Sequence, residues 1–477
     1  MVRSLPKINK NAGARSAFWH LWWLNPLAVL PIILLTTSVS AYLIPGEAYQ
    51  QDWSTPKYLG LPEFLYIGYV VAAFSAGGLL INFVSPRIKY LAADKLFDRL
   101  YLPWNALWLI FYATFALILF AYIVWFFLLL HSGLSLGSLA AALRGESGAS
   151  FDIRDQGQTL PGVTTLVQLE MGFLIIGLIL AMKLGCRRHF LGIFIPLLMV
   201  LAIAWVRSKL WSERLAVIEL LIPGVVLIFR LCRSDLWKGW QRILTAAAPL
   251  AAPPLLFLFF SISEYSRSWS GFYSETQSSF LLFSFMRLTG YYVTALNNGA
   301  VCVEVMHHYN VPYDTLEWFW KFPLVKALMP YETVANSQPW DDYQDLLTKM
   351  ANPEFNNPSG VFVVRLDYGY TGGLFVWFAV GIIAMLLYRS FVKGSLAGLL
   401  LYPFFFIGLL ESPRVFYWGL SRCFPTFALL FFMLFLVLFT SQVVRRRSRI
   451  REGLVTRAAP LATAGIQISD GCPGVIE

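Results

Sequence analysis

Charge is scarce in this 477-residue chain: Asp, Glu, Lys and Arg make up 13% of it, about half of what soluble proteins carry. That shortage excludes a soluble enzyme and a disordered chain. Cysteine is scarce as well. Cys186, Cys232, Cys302, Cys423 and Cys472 are scattered, with no C-x-x-C pair, which argues against a disulfide framework or a thiolate metal centre. Among five histidines, His307 and His308 are the one adjacent pair, and no H-E-x-x-H spacing exists. No internal repeat is visible. What the chain has is apolar: 57% hydrophobic and 16% aromatic residues, with a mean hydropathy of +0.61.

A membrane-crossing helix needs about 20 mostly apolar residues. Ten runs qualify, at 21–44, 62–84, 104–130, 163–182, 190–206, 215–229, 244–262, 368–388, 395–410 and 423–442, the sixth and ninth at the short end. Lys7, Lys10 and Arg15 before the first run imitate a signal peptide, but no soluble domain follows to be exported. The first run is therefore read as an uncleaved span. The expected fold is an all-α polytopic membrane protein of about ten transmembrane helices. Its expected parts are a cytoplasmic N-terminus at 1–20, seven spans over 21–262, a large extracytoplasmic loop at 263–367 and three spans over 368–442. A basic, disordered cytoplasmic tail is expected at 443–477.

Positive charge collects in cytoplasmic loops. With both termini inside, 23 of the 37 Lys and Arg fall on the cytoplasmic side, including Arg187-Arg188 and Arg445-Arg446-Arg447. The net charge of +10 is thus a topology signal and not a nucleic-acid footprint. On the outer side arginine outnumbers lysine, nine (Arg144, Arg154, Arg207, Arg214, Arg267, Arg287, Arg365, Arg414, Arg422) to five. Guanidinium grips phosphate or carboxylate through two parallel bonds, which lysine does not. Arg207, Arg214, Arg365 and Arg414 lie within a turn of span ends, at headgroup depth. They either meet an anionic lipid-linked ligand, or snorkel and pair with Glu213, Asp367 or Glu411. Glu170 and Glu219 fall inside spans, where carboxylates face the bundle interior; for Glu219 an ion pair with another span is expected.

A structureless loop as long as 263–367 is uncommon, so a folded, functional element is expected there. Its aromatic stretch around Trp318, Phe319 and Trp320 reads either as an interfacial helix or as the loop's own small core. Glu304, His307 and Asp367 are candidate proton acceptors for chemistry on a hydroxyl. Asp367 reads equally as a cap on the helix entering the eighth span, with Gly372 and Gly373 permitting close helix packing.

Several stretches resemble the bacterial oligosaccharide repeat-unit polymerases, the Wzy-type O-antigen and exopolysaccharide polymerases. They are Ser212-Glu213-Arg214-Leu215, Tyr291-Tyr292 with Asn297-Asn298, and Asn357-Pro358 through Val361-Phe362 to Asp367-Tyr368-Gly369-Tyr370 and Gly373. The resemblance covers roughly 60–445. It implies a GT-C-like, membrane-embedded, metal-independent glycosyltransferase without a cofactor. Such an enzyme transfers a growing glycan from undecaprenyl diphosphate to a lipid-linked repeat unit at the periplasmic face of the bacterial inner membrane. Its partners are then undecaprenyl-diphosphate-linked oligosaccharides, membrane lipids and, in some systems, a chain-length regulator; nucleic acid is not among them. In this reading Arg207, Arg214, Arg287, Arg365 and Arg414 surround the diphosphate, and Glu304, His307 or Asp367 is the base. The competing readings are an O-antigen ligase, a lipid or polysaccharide flippase with charges lining a mid-depth path, and a non-catalytic scaffold.

Overall fold

The computed structural model describes residues 19–85, 104–146, 148–184, 187–211, 214–232, 237–275, 279–306 and 308–440. His307, Glu213, Arg445-Arg446-Arg447, the tail from 443 and the Arg187, Arg188 and Arg214 side chains lie outside the described residues. Every regular element among the described residues is helical. The long helices are α1 (Pro26–Leu43), α2 (Leu61–Val84), α3 (Trp104–His131), α4 (Glu170–Leu184), α5 (Arg187–Leu210) and α6 (Arg214–Leu231). They continue with α7 (Gly239–Glu264), α8 (Phe280–Val305), α9 (Gly360–Val392), α10 (Leu396–Glu411) and α11 (Ser421–Thr440).

Each of the ten expected spans coincides with a helix, but among the described residues eight helices are long and apolar enough to cross a membrane. The two that fall short do so for different reasons. Arg214, Glu219 and Arg230 load α6 with charge, and α10 has 16 residues, short of the ~20 a bilayer asks for. Both are central all the same: α10 is buried along almost its whole length and packs on α1, α4, α6 and α9.

The segment 263–367, expected to hold a folded element, is largely helical. It contains α8, 26 residues long and so about 39 Å at 1.5 Å per residue, packed against α1, α7 and α9. Ser279 caps it, its hydroxyl accepting from the Leu282 amide. A π-helical stretch, Tyr265–Tyr273, leads out of α7 ahead of it. Polar residues along α8 hid it from a search for apolar runs. Two of them serve as clamps: Asn297 accepts from the amides of Tyr58 and Leu59 and donates to Pro56 O, and Asn298 donates to Phe355 O. The aromatic stretch packs partly within its own segment and partly against α11. Glu317–Trp320 is a four-residue helix, Trp318 stacks on Phe424 at 5.4 Å, and the Trp320 indole donates to Pro312 O.

Helix α9 is the spine. It starts at Gly360, capped by the Ser359 hydroxyl, eight residues ahead of the expected span. Its last carbonyls, Phe391 O and Val392 O, accept from the buried Arg230 guanidinium at 2.9 and 2.8 Å, a favourable place for a cation. Its crossing with α2 is glycine-mediated: a Cβ on Gly77 would sit 2.1 Å from Phe378 O, and one on Gly381 2.1 Å from Phe74 O. Small residues let membrane helices approach this closely. Gly381→Leu should therefore lower the unfolding temperature in detergent, at a cost of about 1–3 kcal/mol or more. Gly68→Ala, where a Cβ meets nothing within 4 Å, should leave it unchanged; equal melting of both variants would show that the crossing is not tight.

Candidate functional site: an arginine-lined cavity

The N-terminal end of α6, the C-terminal ends of α7 and α10 and the N-terminal end of α11 converge on a cavity of about 460 Å³. Five arginines line it (Arg154, Arg267, Arg287, Arg414 and Arg422), and no lysine does. Apolar side chains share the lining: Leu215 and Ile218 of α6, Leu256 and Phe259 of α7, and Leu288 of α8. Tyr291, Tyr292, Glu354 and Asn357 complete the lining.

A buried guanidinium stays charged, so each needs a counter-charge, and carboxylates supply it. Arg287 Nε is 2.7 Å from Glu264, which is fully buried, and its Nη1 is 2.7 Å from Glu354. Arg267 approaches Glu264 from one helical turn on, at 3.8 Å. Arg414 pairs with Glu411 at 2.8 Å, and Arg422 with Glu219 at 3.3 Å. The same Glu219 accepts from the Tyr417 hydroxyl at 2.8 Å, so the expected inter-span pairing of Glu219 is present. Aromatic rings hold the guanidinium planes. Arg287 lies over Tyr273, Phe283 and Phe355 at 5.5–5.7 Å, and Arg414 over Tyr291 and Tyr292. Burial and the Glu354 carboxylate push the Tyr273 hydroxyl above its ordinary pKa; it therefore donates to Glu354 at 3.0 Å. Arg154 differs, being exposed and without an ion pair among the described residues.

All five cavity arginines are among the nine placed on the outer side from sequence, and of the five assigned to a diphosphate Arg287 and Arg414 are here. Arg207 instead serves the Tyr122–Glu170 pair: Tyr122 donates to Glu170 and also hydrogen-bonds Arg207. Arg365 lies over the rings of Tyr66 and Tyr370 at 5.0 and 5.3 Å, outside the cavity lining. Arg154, Arg267 and Arg422 stood among the nine outward arginines read from sequence but were not assigned to the diphosphate, and Glu354 was not singled out at all. Arg422 carried the same signal as Arg414, being adjacent to a span end. Arg267, three residues beyond Glu264, was legible as a pair on one helix face. Nothing local marks Glu354.

The proposed bases fare differently. Glu304 is exposed near the end of α8 and does not line the cavity. Asp367 is buried, and its carboxylate does not cap its own helix. It accepts from the backbone amides of Tyr313, Asp314 and Thr315 and from the Thr315 hydroxyl, at 2.6–3.3 Å. Its work is to pin the 313–315 turn against α9, just before the left-handed Gly369 (φ 72°) interrupts the helix. Asp367 does not line the arginine cavity.

No protein-family model matches the chain, and neither a curated protein nor a solved structure matches it significantly.

Beside Asp367, burial first, then the Asp367 and Glu317 carboxylates, hold the Asp314 carboxyl well above the usual range, against an opposing pull from Lys321. The folded state thus binds this proton more tightly than the unfolded chain. Its stabilisation is complete below the ordinary value of ~4 and is lost as pH rises through the higher folded value. Asp314→Asn should therefore raise the melting temperature more at pH 8 than at pH 5. Asp367→Ala, which orphans four donors at about 1–3 kcal/mol each before compensation, should lower it at both. An Asp314→Asn effect independent of pH would refute the shifted carboxyl.

Proposed function

We propose that the protein is a membrane-embedded glycosyltransferase, a polysaccharide polymerase, which moves a growing glycan from undecaprenyl diphosphate to a lipid-linked repeat unit. The observation that carries this reading is the pairing of five arginines with an apolar wall in one cavity. A lipid-linked diphosphate has the matching halves: two phosphates for guanidinium groups and a hydrocarbon chain for Leu215, Ile218, Leu256 and Phe259. A diphosphate displaces carboxylates, not water, at Arg287, Arg414 and Arg422, which favours a multiply charged anion over a carboxylate ligand. The membrane is then the bacterial cytoplasmic membrane, with both termini inside and the cavity facing the periplasm.

In this mechanism the bond between the sugar's anomeric carbon and the diphosphate oxygen breaks, and its electron pair leaves with the diphosphate. The arginines hold the charge that develops there. An acceptor hydroxyl oxygen forms the new bond to the anomeric carbon and loses its proton. Glu354, the one carboxylate among the cavity-lining residues, takes that proton. Glu304 and Asp367 do not line this cavity, and His307 lies outside the described residues.

The test is deletion and complementation in the source bacterium. Deletion should leave single, unpolymerised repeat units on the lipid carrier. Undecaprenyl-linked polymer accumulating instead would make the protein a ligase. Among variants, Arg154→Ala is the cleanest, since an exposed side chain contributes little to folding. It, Arg414→Ala and Glu354→Gln should shorten or abolish polymer on gels, at least tenfold, at normal protein level. Full-length glycan from all five single Arg→Ala variants would sink the diphosphate assignment.

A further inference from the structure

A second cavity, of about 370 Å³, opens at the other end of α8 and has opposite chemistry. Val305 and Met306 contribute apolar lining. Around it stand His308, Asn310, Asn336, Ser337 and Asp342, with the rings of Tyr309 and Tyr331. Among the described residues no arginine or lysine lines it.

The frame is rigid. The Tyr309 amide donates to Leu366 O at 3.1 Å, fixing 308–310 to α9. The His308 ring lies against Gly369, where a Cβ would come within 3.1 Å of it. Tyr331 donates to Val311 O at 2.6 Å and packs edge-on against Tyr313 and Trp320. Asn336 ends the helix Tyr331–Ala335 in a left-handed conformation, φ 51°, which asparagine tolerates better than most residues.

The polar side chains on this frame are uncommitted. His308, Asn310, Asn336, Ser337 and Asp342 make no side-chain hydrogen bond to another described residue, whereas in the arginine cavity four of the five arginines are ion-paired. Together they offer amide, imidazole and hydroxyl donors and amide, hydroxyl and carboxylate acceptors. A ligand whose hydroxyls each donate and accept is the chemical complement, and two tyrosines supply apolar surface for its C–H faces. Asp342 is the one formal negative charge in the lining, with no Lys or Arg against it, so an acidic or phosphorylated sugar would be repelled.

We propose that this cavity is a binding site for a neutral saccharide. From Tyr291, in the arginine cavity, to Val305 is 14 residues of one helix, or about 21 Å. The second site is therefore placed to hold sugars distant from the lipid diphosphate. That last assignment rests on the polymerase reading; the saccharide site itself does not.

The experiment uses the full-length protein in nanodiscs on a printed array of neutral and acidic bacterial glycans. A parallel titration with geranylgeranyl diphosphate reports the arginine cavity. Neutral glycans should bind, and the exposed double variant Asn310→Ala/Asp342→Ala should lose at least tenfold while keeping geranylgeranyl diphosphate affinity. Arg414→Ala should do the reverse. Absence of neutral glycan binding, preference for acidic glycans, or unchanged binding by the double variant would overturn the site. Glycan binding without geranylgeranyl diphosphate binding would leave the saccharide site standing and remove the lipid-diphosphate reading.

Discussion

The structure depends on how guanidinium groups are kept charged inside an apolar bundle. Arg287 is the clearest case: 9% exposed, it holds Glu264 on one side and Glu354 on the other and lies over three aromatic rings. Removing one partner of such a pair leaves an uncompensated charge, a loss of about 3–5 kcal/mol. Pairing is therefore a condition of the fold at this end of the molecule. It ties α7 to α8 through Glu264 and Arg287, α6 to α11 through Glu219 and Arg422, and α8 to the 352–357 turn through Glu354. The cavity is the place where these ties leave a gap between helices.

The same pairing governs what the cavity can accept. Arginines neutralised by glutamate present little free positive charge, so a single anion gains little by entering. A diphosphate, with several oxygens, competes with more than one glutamate at once and recovers bidentate geometry at each guanidinium. The glutamates also keep the site folded when empty. In the proposed reading Arg154, exposed and without an ion pair among the described residues, is the first contact for an arriving anion.

Much of the helical frame was legible, because runs of apolar residues depend on local composition. All ten expected spans are helices, and Glu219 found the partner on another span that its place inside a span demanded. Two things were not legible. Polar residues such as Asn297, Asn298 and Arg287 broke the apolar signal of α8, yet each is satisfied by chain more than 50 residues away. The direction of a side chain at a span end was equally hidden. Arg207, Arg365 and Arg414 share the sequence signal, and tertiary packing sends them to Tyr122–Glu170, to Tyr66 and Tyr370, and to the cavity. Asp367 misled for a related reason: a buried carboxylate beside an aromatic and a glycine suits catalysis or backbone capping, and the decision lies in the 313–315 amides.

Helix α8 gives these separate observations a common axis. Its first half carries Arg287, Tyr291 and Tyr292 into the arginine cavity. Its middle is clamped by Asn297 to the 56–59 segment and by Asn298 to the 355–357 turn. Its last turn contributes apolar lining to the polar cavity. The clamps matter because they fix the helix between the two cavities, so the separation of the cavities is a property of the fold and not of a loop conformation. At the far end the Asp367 carboxylate secures the 313–315 turn, and through it the wall that Tyr331 builds. An arginine-lined, apolar-walled cavity and a polar, hydroxyl-matching one are thus held at a set distance by one element, which suits a ligand with a charged lipid anchor and a neutral polar chain.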